Sequence, residues 1–329
     1  MGTLLVAACL FLIALAPSFA VVVVGVLAIQ VASNTVQGPW QALIPDQVPA
    51  EQRGAASGVK AAFDILAFVA GRQISGQLVA AGNVVGAVAV TSTVFGLAAL
   101  FTLLAARESH ESAAPAQQGG VWQALRRTFT VDWKAHPAFI WWFLNRFLFW
   151  SGFIALSTFL LFYMVDVVRM QASEAQRFVG NLSTVIGLML LLVALPSGWL
   201  SDRVGRKPLI AAAGILAAGG TATILFFRSP NLLVASGAII GLGVGIFLSA
   251  NWALVTDIVP EGEAAHYLGI ANIATAGGSG LARFLGGAII DPINRLTGRG
   301  EFGYLTLYGL TIIAFLMGTG AILRLPRRV

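Results

Sequence analysis

The sequence predicts an all-α polytopic membrane protein of about ten spanning helices, four before a long polar connection and six after it. Three observations carry this. Of 329 residues, 57% are hydrophobic and only 10% are charged, whereas a soluble domain carries about 25% charged residues. Mean hydropathy is +0.84, which excludes a disordered chain as well. The apolar residues fall in runs close to the roughly 20 residues that a helix needs to cross the hydrocarbon core.

The runs are Thr3–Ala16, Phe19–Ile44, Ala55–Ala80, Val84–Ala106, Ala138–Val165, Phe178–Leu200, Leu209–Phe227, Leu232–Thr256, Leu268–Ile290 and Phe302–Leu323. The first is short and is divided from the second by Pro17 and Ser18. No basic residue precedes it, which argues against a signal peptide. Alternating the spans from an inside Gln47–Gly54 loop puts eleven Lys and Arg residues inside and five outside. That asymmetry orients the linker and the C-terminus toward the cytoplasm of a plasma membrane. The net charge of +6 has the same origin and does not indicate nucleic acid.

The polar connection divides the chain into 1–106, a linker over 107–137, and 138–329. Its first part, Glu108–Gly120, is rich in Ser, Ala, Gln and Gly and reads as flexible. In the second part Trp122, Leu125, Phe129 and Trp133 share a helical face, with Arg126, Arg127 and Lys134 elsewhere. That pattern fits a helix lying in the membrane interface and equally an ordinary linker helix.

The chemistry available is narrow. The single cysteine, Cys9, excludes an intramolecular disulfide, a cysteine zinc site and an iron–sulfur cluster. The histidines His110, His136 and His266 lie in polar connections, so no metal or cofactor is expected. There is no GxxxxGK[ST] phosphate loop.

The chain also repeats itself. Residues 42–58 read ALIPDQVPAEQRGAASG and residues 253–269 read ALVTDIVPEGEAAHYLG, at an offset of 211. The offset pairs Asp46 with Asp257, Pro49 with Pro260, Gly58 with Gly269, Arg72 with Arg283 and Gly76 with Gly287. Two halves of the same sense across the membrane are implied. Run backwards from Ala138, the offset predicts that the first half lacks about 75 residues, room for two spans of about 20 residues each.

The segment Gly198-Trp-Leu-Ser-Asp202-Arg203-Val-Gly205-Arg206-Lys207 resembles the GxLxDRxGRK loop motif of the major facilitator superfamily. It lies between the sixth and seventh spans, and the resemblance covers essentially the whole chain. It implies a major facilitator fold of two pseudo-symmetric helical halves, here as helices 3–12. Asp202 would accept hydrogen bonds from free N–H groups opening the third span. Arg206 or Arg203 would pair with Asp257, and Lys207 would join them or anchor the inner face. Such links would latch a cytoplasmic gate during alternating access. Val36–Leu43, Asn251–Asp257 and Gly269–Gly277 are similar to the sucrose and glycoside:cation symporter branch. The GPxxGG motif of drug:proton antiporters is absent from the third span.

Ionisable groups inside the membrane are costly and mark function. Asp64 is the one carboxylate deep within a span. It follows the start of its helix by about 10 residues, about 15 Å of rise. Lys60 lies one turn before it on the same face, and Arg72 two turns beyond. Either Asp64 faces a cavity and takes up a proton, or Lys60 and Asp64 neutralise each other. The first reading makes Asp64 the coupling group. Arg72 and Arg283, equivalent in the two halves, are read as structural. Arg146, Asn145 and Trp150 offer hydrogen-bonding groups and an aromatic plane suited to a sugar, or else a snorkelling arginine among interfacial tryptophans. Asn34, Gln37, Asn181, Asn251 and Asn272 are further cavity candidates, each alone an equally good interhelical hydrogen bond. Gly241, Gly243 and Gly245 are read as close-packing positions.

The expected function is secondary active transport of a small solute, a sugar or glycoside, coupled to protons. The expected partners are that solute, a proton and the bilayer, with the chain a monomer. Efflux of an amphipathic compound is one alternative. A non-transporting scaffold or inactive fragment is another. An intramembrane enzyme would need a clustered catalytic set that these residues do not supply.

Overall fold

The computed structural model describes residues 2–80, 82–105, 136–260 and 263–325. Among them are ten α-helices and no strand: α1 Gly2–Ala14, α2 Phe19–Gln47, α3 Arg53–Ala80, α4 Val84–Ala105, α5 Pro137–Asp166, α6 Ala172–Val204, α7 Arg206–Phe226, α8 Pro230–Ile258, α9 Ala264–Thr297 and α10 Phe302–Leu323. A short 3₁₀ turn, Ala50–Gln52, precedes α3. The interfacial helix expected around Trp122–Lys134 lies outside the described residues.

Eight of these helices are long and apolar enough to cross a membrane, making this a multi-pass membrane protein. The two others fall short of that measure for different reasons. Helix α1 is apolar but has 13 residues. Helix α3 has 28 residues, but Lys60, Asp64 and Arg72 dilute its apolar character. Several helices also outrun their apolar stretches. Helix α6 has 33 residues and α9 has 34, because hydropathy marks the hydrocarbon thickness whereas backbone hydrogen bonding continues past it.

The clearest consequence is at the loop motif, which is hardly a loop. Asp202 and Arg203 belong to the last turn of α6, and Arg206 opens α7. Only Gly205 intervenes, at φ +98°. A side chain would clash with its own backbone in that conformation, so glycine is required there.

The chain divides into two compact units. The first comprises Met1–Gln47, Leu66–Val131 and Val259–Ile270. Within it α1 packs on α2 and α4, burying Val6, Cys9, Ala32 and Ala87. Leu4, Val24, Leu27, Leu97 and Leu103 stay exposed, as suits helices bathed in lipid.

The second unit comprises Val48–Ile65, Asp132–Ile258 and Ala271–Val329. Here α8 packs on α6 and α7, and α10 on α5 and α7. Lipid tails are as apolar as leucine, so close approach replaces hydrophobic exclusion as the adhesive. Gly241 and Gly245 bring α8 against the backbone of Ile186 and Leu190 in α6, and Gly243 brings it against Ala213 in α7. Phe149 stacks on Phe247 at 3.6 Å, with Phe315 edge-on at 5.0 Å.

Candidate functional site

The first turns of α3 belong to this second unit, and Lys60, Asp64, Arg146, Asp202, Arg206 and Asp257 gather around them. Gly58 of α3 and Gly198 of α6 cross almost backbone to backbone. A Cβ on Gly198 would lie 2.5 Å from the Gly54 carbonyl oxygen and 3.0 Å from both the Gly58 Cα and the Ser249 Oγ. That crossing sets how far the face carrying Ser57, Lys60 and Asp64 advances toward α8.

Lys60 Nζ donates to Asp64 Oδ2 at 2.5 Å, one helical turn away. The same ammonium lies 4.7 Å from the centre of the Trp252 ring. The Asp64 side chain is 52% exposed, against 15% for Lys60, so the carboxylate faces open space while the lysine is sheltered.

Below this pair lies a hydrogen-bonded polar core. Arg146 of α5 is buried. It donates from NH1 to Asn251 Oδ1 at 2.8 Å and from Nε to Thr275 Oγ1 at 2.9 Å. Asn251 Nδ2 donates to Asn145 Oδ1 at 2.9 Å, and Asn145 Nδ2 to the Gly318 carbonyl at 2.8 Å. The Trp142 indole closes the set by donating to the Asn251 carbonyl at 2.8 Å. Helices α5, α8, α9 and α10 are thus tied at one level. Polar groups so placed rigidify a site because each is costly to leave unpaired.

A cavity opens over this core. Ser57, Lys60, Ala61 and Asp64 line it from α3, Arg146 from α5, and Leu248 and Trp252 from α8. Ser57 Oγ and Trp252 Nε1 are buried there without a hydrogen-bond partner among the described residues.

Of the residues singled out in the sequence, Asp64, Lys60, Arg146, Asn145 and Asn251 converge on this cavity or directly beneath it. Trp150 is half-buried beside it, with the Arg146 guanidinium 6.0 Å from its ring centre. Asn272 is half-buried on α9 and does not line the cavity. Gln37 and Asn181 are exposed on α2 and α6, and Arg283 on α9. The side chains of Asn34, Asp46 and Arg72 lie outside the described residues. Trp252, Ser57 and Thr275 were not singled out. Their only signal was adjacency to flagged positions, since a tryptophan, serine or threonine inside an apolar run is unremarkable by type.

At the Asp202 end of the same unit the geometry is equally specific. The Asp202 carboxylate accepts from the Gly54 N–H and the Ala55 N–H, both at 3.0 Å. It therefore caps two of the donors that open α3. Arg206 bridges Asp202 at 3.2 Å and Asp257 at 2.6 Å. Arg53 adds a 3.8 Å contact to Asp257 and donates to the Thr256 carbonyl at 3.1 Å. Among the described residues Arg203 makes no ion pair. Its guanidinium lies 3.7 Å from the Trp199 ring centre. Lys207 donates to the Leu325 carbonyl at 3.3 Å.

These features can be set beside known proteins. The minor myo-inositol transporter IolF of Bacillus subtilis (strain 168) is 34% identical over 86 residues, which is 26% of this chain and 20% of that relative. The match thus spans about a fifth of the relative's length. Among solved structures, a bacterial homologue of the iron transporter ferroportin in an outward-facing state superposes with TM-score 0.73 at 14% identity, covering 98% of this chain and 81% of that one. The E. coli fucose:proton symporter FucP gives TM-score 0.67 at 15% identity, covering 97% and 83%. The proton:xylose symporter XylE gives 0.70 at 14%, covering 96% and 78%. At these identities the likeness is one of fold. The description of the Major Facilitator Superfamily matches residues 1–176 and again residues 167–329. With its glycine-jointed Asp202–Lys207 segment and all-helical fold, the chain belongs to the Major Facilitator Superfamily.

Proposed function

We propose that this protein is a secondary active transporter that moves a small hydroxylated solute across a plasma membrane by alternating access, with Asp64 as the proton-coupling group. The observation that carries this reading is a cavity that gathers the Lys60–Asp64 pair, the buried Arg146 and the Trp252 ring. A carboxylate 52% exposed at such a place is reachable by protons. Lys60 is its ionic partner at 2.5 Å, and exchanging that partner for another group would couple the pair to solute movement. Segments 1–106 and 138–329 would act as the two halves of the carrier, joined by the 107–137 linker on the cytoplasmic side. Asp202, Arg206 and Asp257 would form a latch there, through the bonds of Asp202 to Gly54 and Ala55 and the contact of Asp257 with Arg53, that opens once per cycle. Support for a sugar-like solute comes from the inositol transporter matched in sequence and the two sugar symporters matched in fold.

The test is Asp64→Asn in proteoliposomes of the purified protein. The expected outcome is loss of proton-driven accumulation, with unfolding temperature in detergent unchanged. Accumulation at the wild-type level would remove Asp64 from the coupling role. Absence of flux under any gradient in the wild type would remove transport altogether.

A further inference from the structure

We infer that the solute of this cavity is a small monovalent organic anion that also carries hydroxyl groups, a sugar acid rather than a neutral sugar, with its carboxylate serving as the counter-charge to Arg146. This rests on the transport reading above and sharpens its substrate class.

The inference comes from summing the charges that face the cavity. Helix α3 contributes Lys60 and Asp64, which cancel at 2.5 Å. Helix α5 contributes Arg146. The side chains that meet it from α8 and α9 are Asn251 and Thr275, both neutral. Among the described residues no carboxylate lies within ion-pair distance of Arg146. With Asp64 ionised, the site therefore holds one net positive charge, at a residue only 7% exposed.

Amide and hydroxyl oxygens orient a guanidinium but do not neutralise it. The rings of Trp142 and Trp252 at 5.5 and 4.9 Å attract the cation without supplying a full counter-charge. A buried charge without an ionic partner is costly, and an intramembrane one marks a pathway. Arginine has five N–H donors in a planar fork that matches a carboxylate. Two of the five are taken by Asn251 and Thr275.

The remaining lining accounts for the rest of the ligand. Trp252 Nε1, a pure donor, and Ser57 Oγ, donor and acceptor, have no hydrogen-bond partner among the described residues. Both are buried just behind the lining, where hydroxyl groups would pair with them once the wall gives way. Ala61 and Leu248 supply an apolar wall. A dianion would overshoot the single net charge and meet the Asp64 carboxylate.

The tryptophans around Arg146 provide the readout. Their fluorescence is titrated in the purified full chain with D-glucuronate and D-gluconate, and with D-glucose, myo-inositol and the methyl ester of D-glucuronate, at fixed pH and salt. At least one acid is expected to half-saturate at a concentration about tenfold or more below every neutral compound. Arg146→Gln is expected to erase that preference. If Arg146→Gln does not fold, the acid–ester comparison on the wild type decides. Equal or tighter binding of the ester or a neutral sugar overturns the inference, as does the lack of a saturable response to either acid. Proteoliposome uptake separates the two proposals. Flux of neutral sugar alone keeps transport and discards the anion, whereas acid binding without flux keeps the anion site and discards transport.

Discussion

Replacing Asp202 by alanine removes one carboxylate from three partners, and the cost can be worked from their geometry. Its oxygens accept from Gly54 N–H and Ala55 N–H at 3.0 Å each and from Arg206 at 3.2 Å. Arg206 keeps its 2.6 Å link to Asp257, so no charge is orphaned and the loss falls on α3. A hydrogen bond to a charged group is worth about 1.5–3 kcal/mol net. Gly54 is buried, but Ala55 is exposed, so water can replace its bond. One full and one partial loss sum to about 2–4 kcal/mol. At about 1.4 kcal/mol per factor of ten, that is roughly 30- to 700-fold in the local opening equilibrium. Hydrogen exchange followed by mass spectrometry over residues 53–58 reads this directly. Asp202→Asn, which retains one acceptor oxygen, should fall between wild type and Asp202→Ala. Exchange over this segment changing by less than about threefold in Asp202→Ala would refute the capping account.

Gly198→Val places carbons against the Gly54 carbonyl and Gly58 Cα. It should lower stability by about 1–3 kcal/mol, seen as a lower unfolding temperature in detergent, since backbone cannot step aside as a side chain can. Asn251→Leu strips Arg146 and Asn145 of a partner at 2.8 and 2.9 Å. A loss of about 2–5 kcal/mol is expected by the same assay. Arg228→Gln breaks a pair whose side chains are 50% and 31% exposed. Its effect should stay under about 1 kcal/mol, a change in unfolding temperature near the limit of measurement.

The fold was legible to the extent that lipid writes it into the chain. Apolar runs gave each helix its place, and Phe302–Leu323 its bounds. They could not give the polar ends of α6 and α9, where Asp202 and Arg295 sit on helix that no lipid demands. In the site, residue type was enough to flag Arg146, Asn145 and Asn251, since amides and guanidinium are conspicuous in an apolar run. Their partnership spans about a hundred residues of chain and has no local trace. The Lys60–Asp64 spacing was visible, but whether the carboxylate faced a cavity depended on the Gly58–Gly198 crossing. Trp252 remained silent because aromatic residues abound in membrane helices.

The one-residue joint at Gly205 bears on how the chain enters the bilayer. Adjacent Cα atoms are about 3.8 Å apart, so the end of α6 and the start of α7 have no slack with which to part. Helices of 33 and 21 residues measure about 50 and 31 Å, each sufficient to cross. They therefore form a helical hairpin whose joined ends cannot part, so that once both are in place α6 cannot shift along the membrane normal without carrying the start of α7 with it. An insertion at this joint would add the slack that Gly205 denies, and would let the two helices take their depths independently.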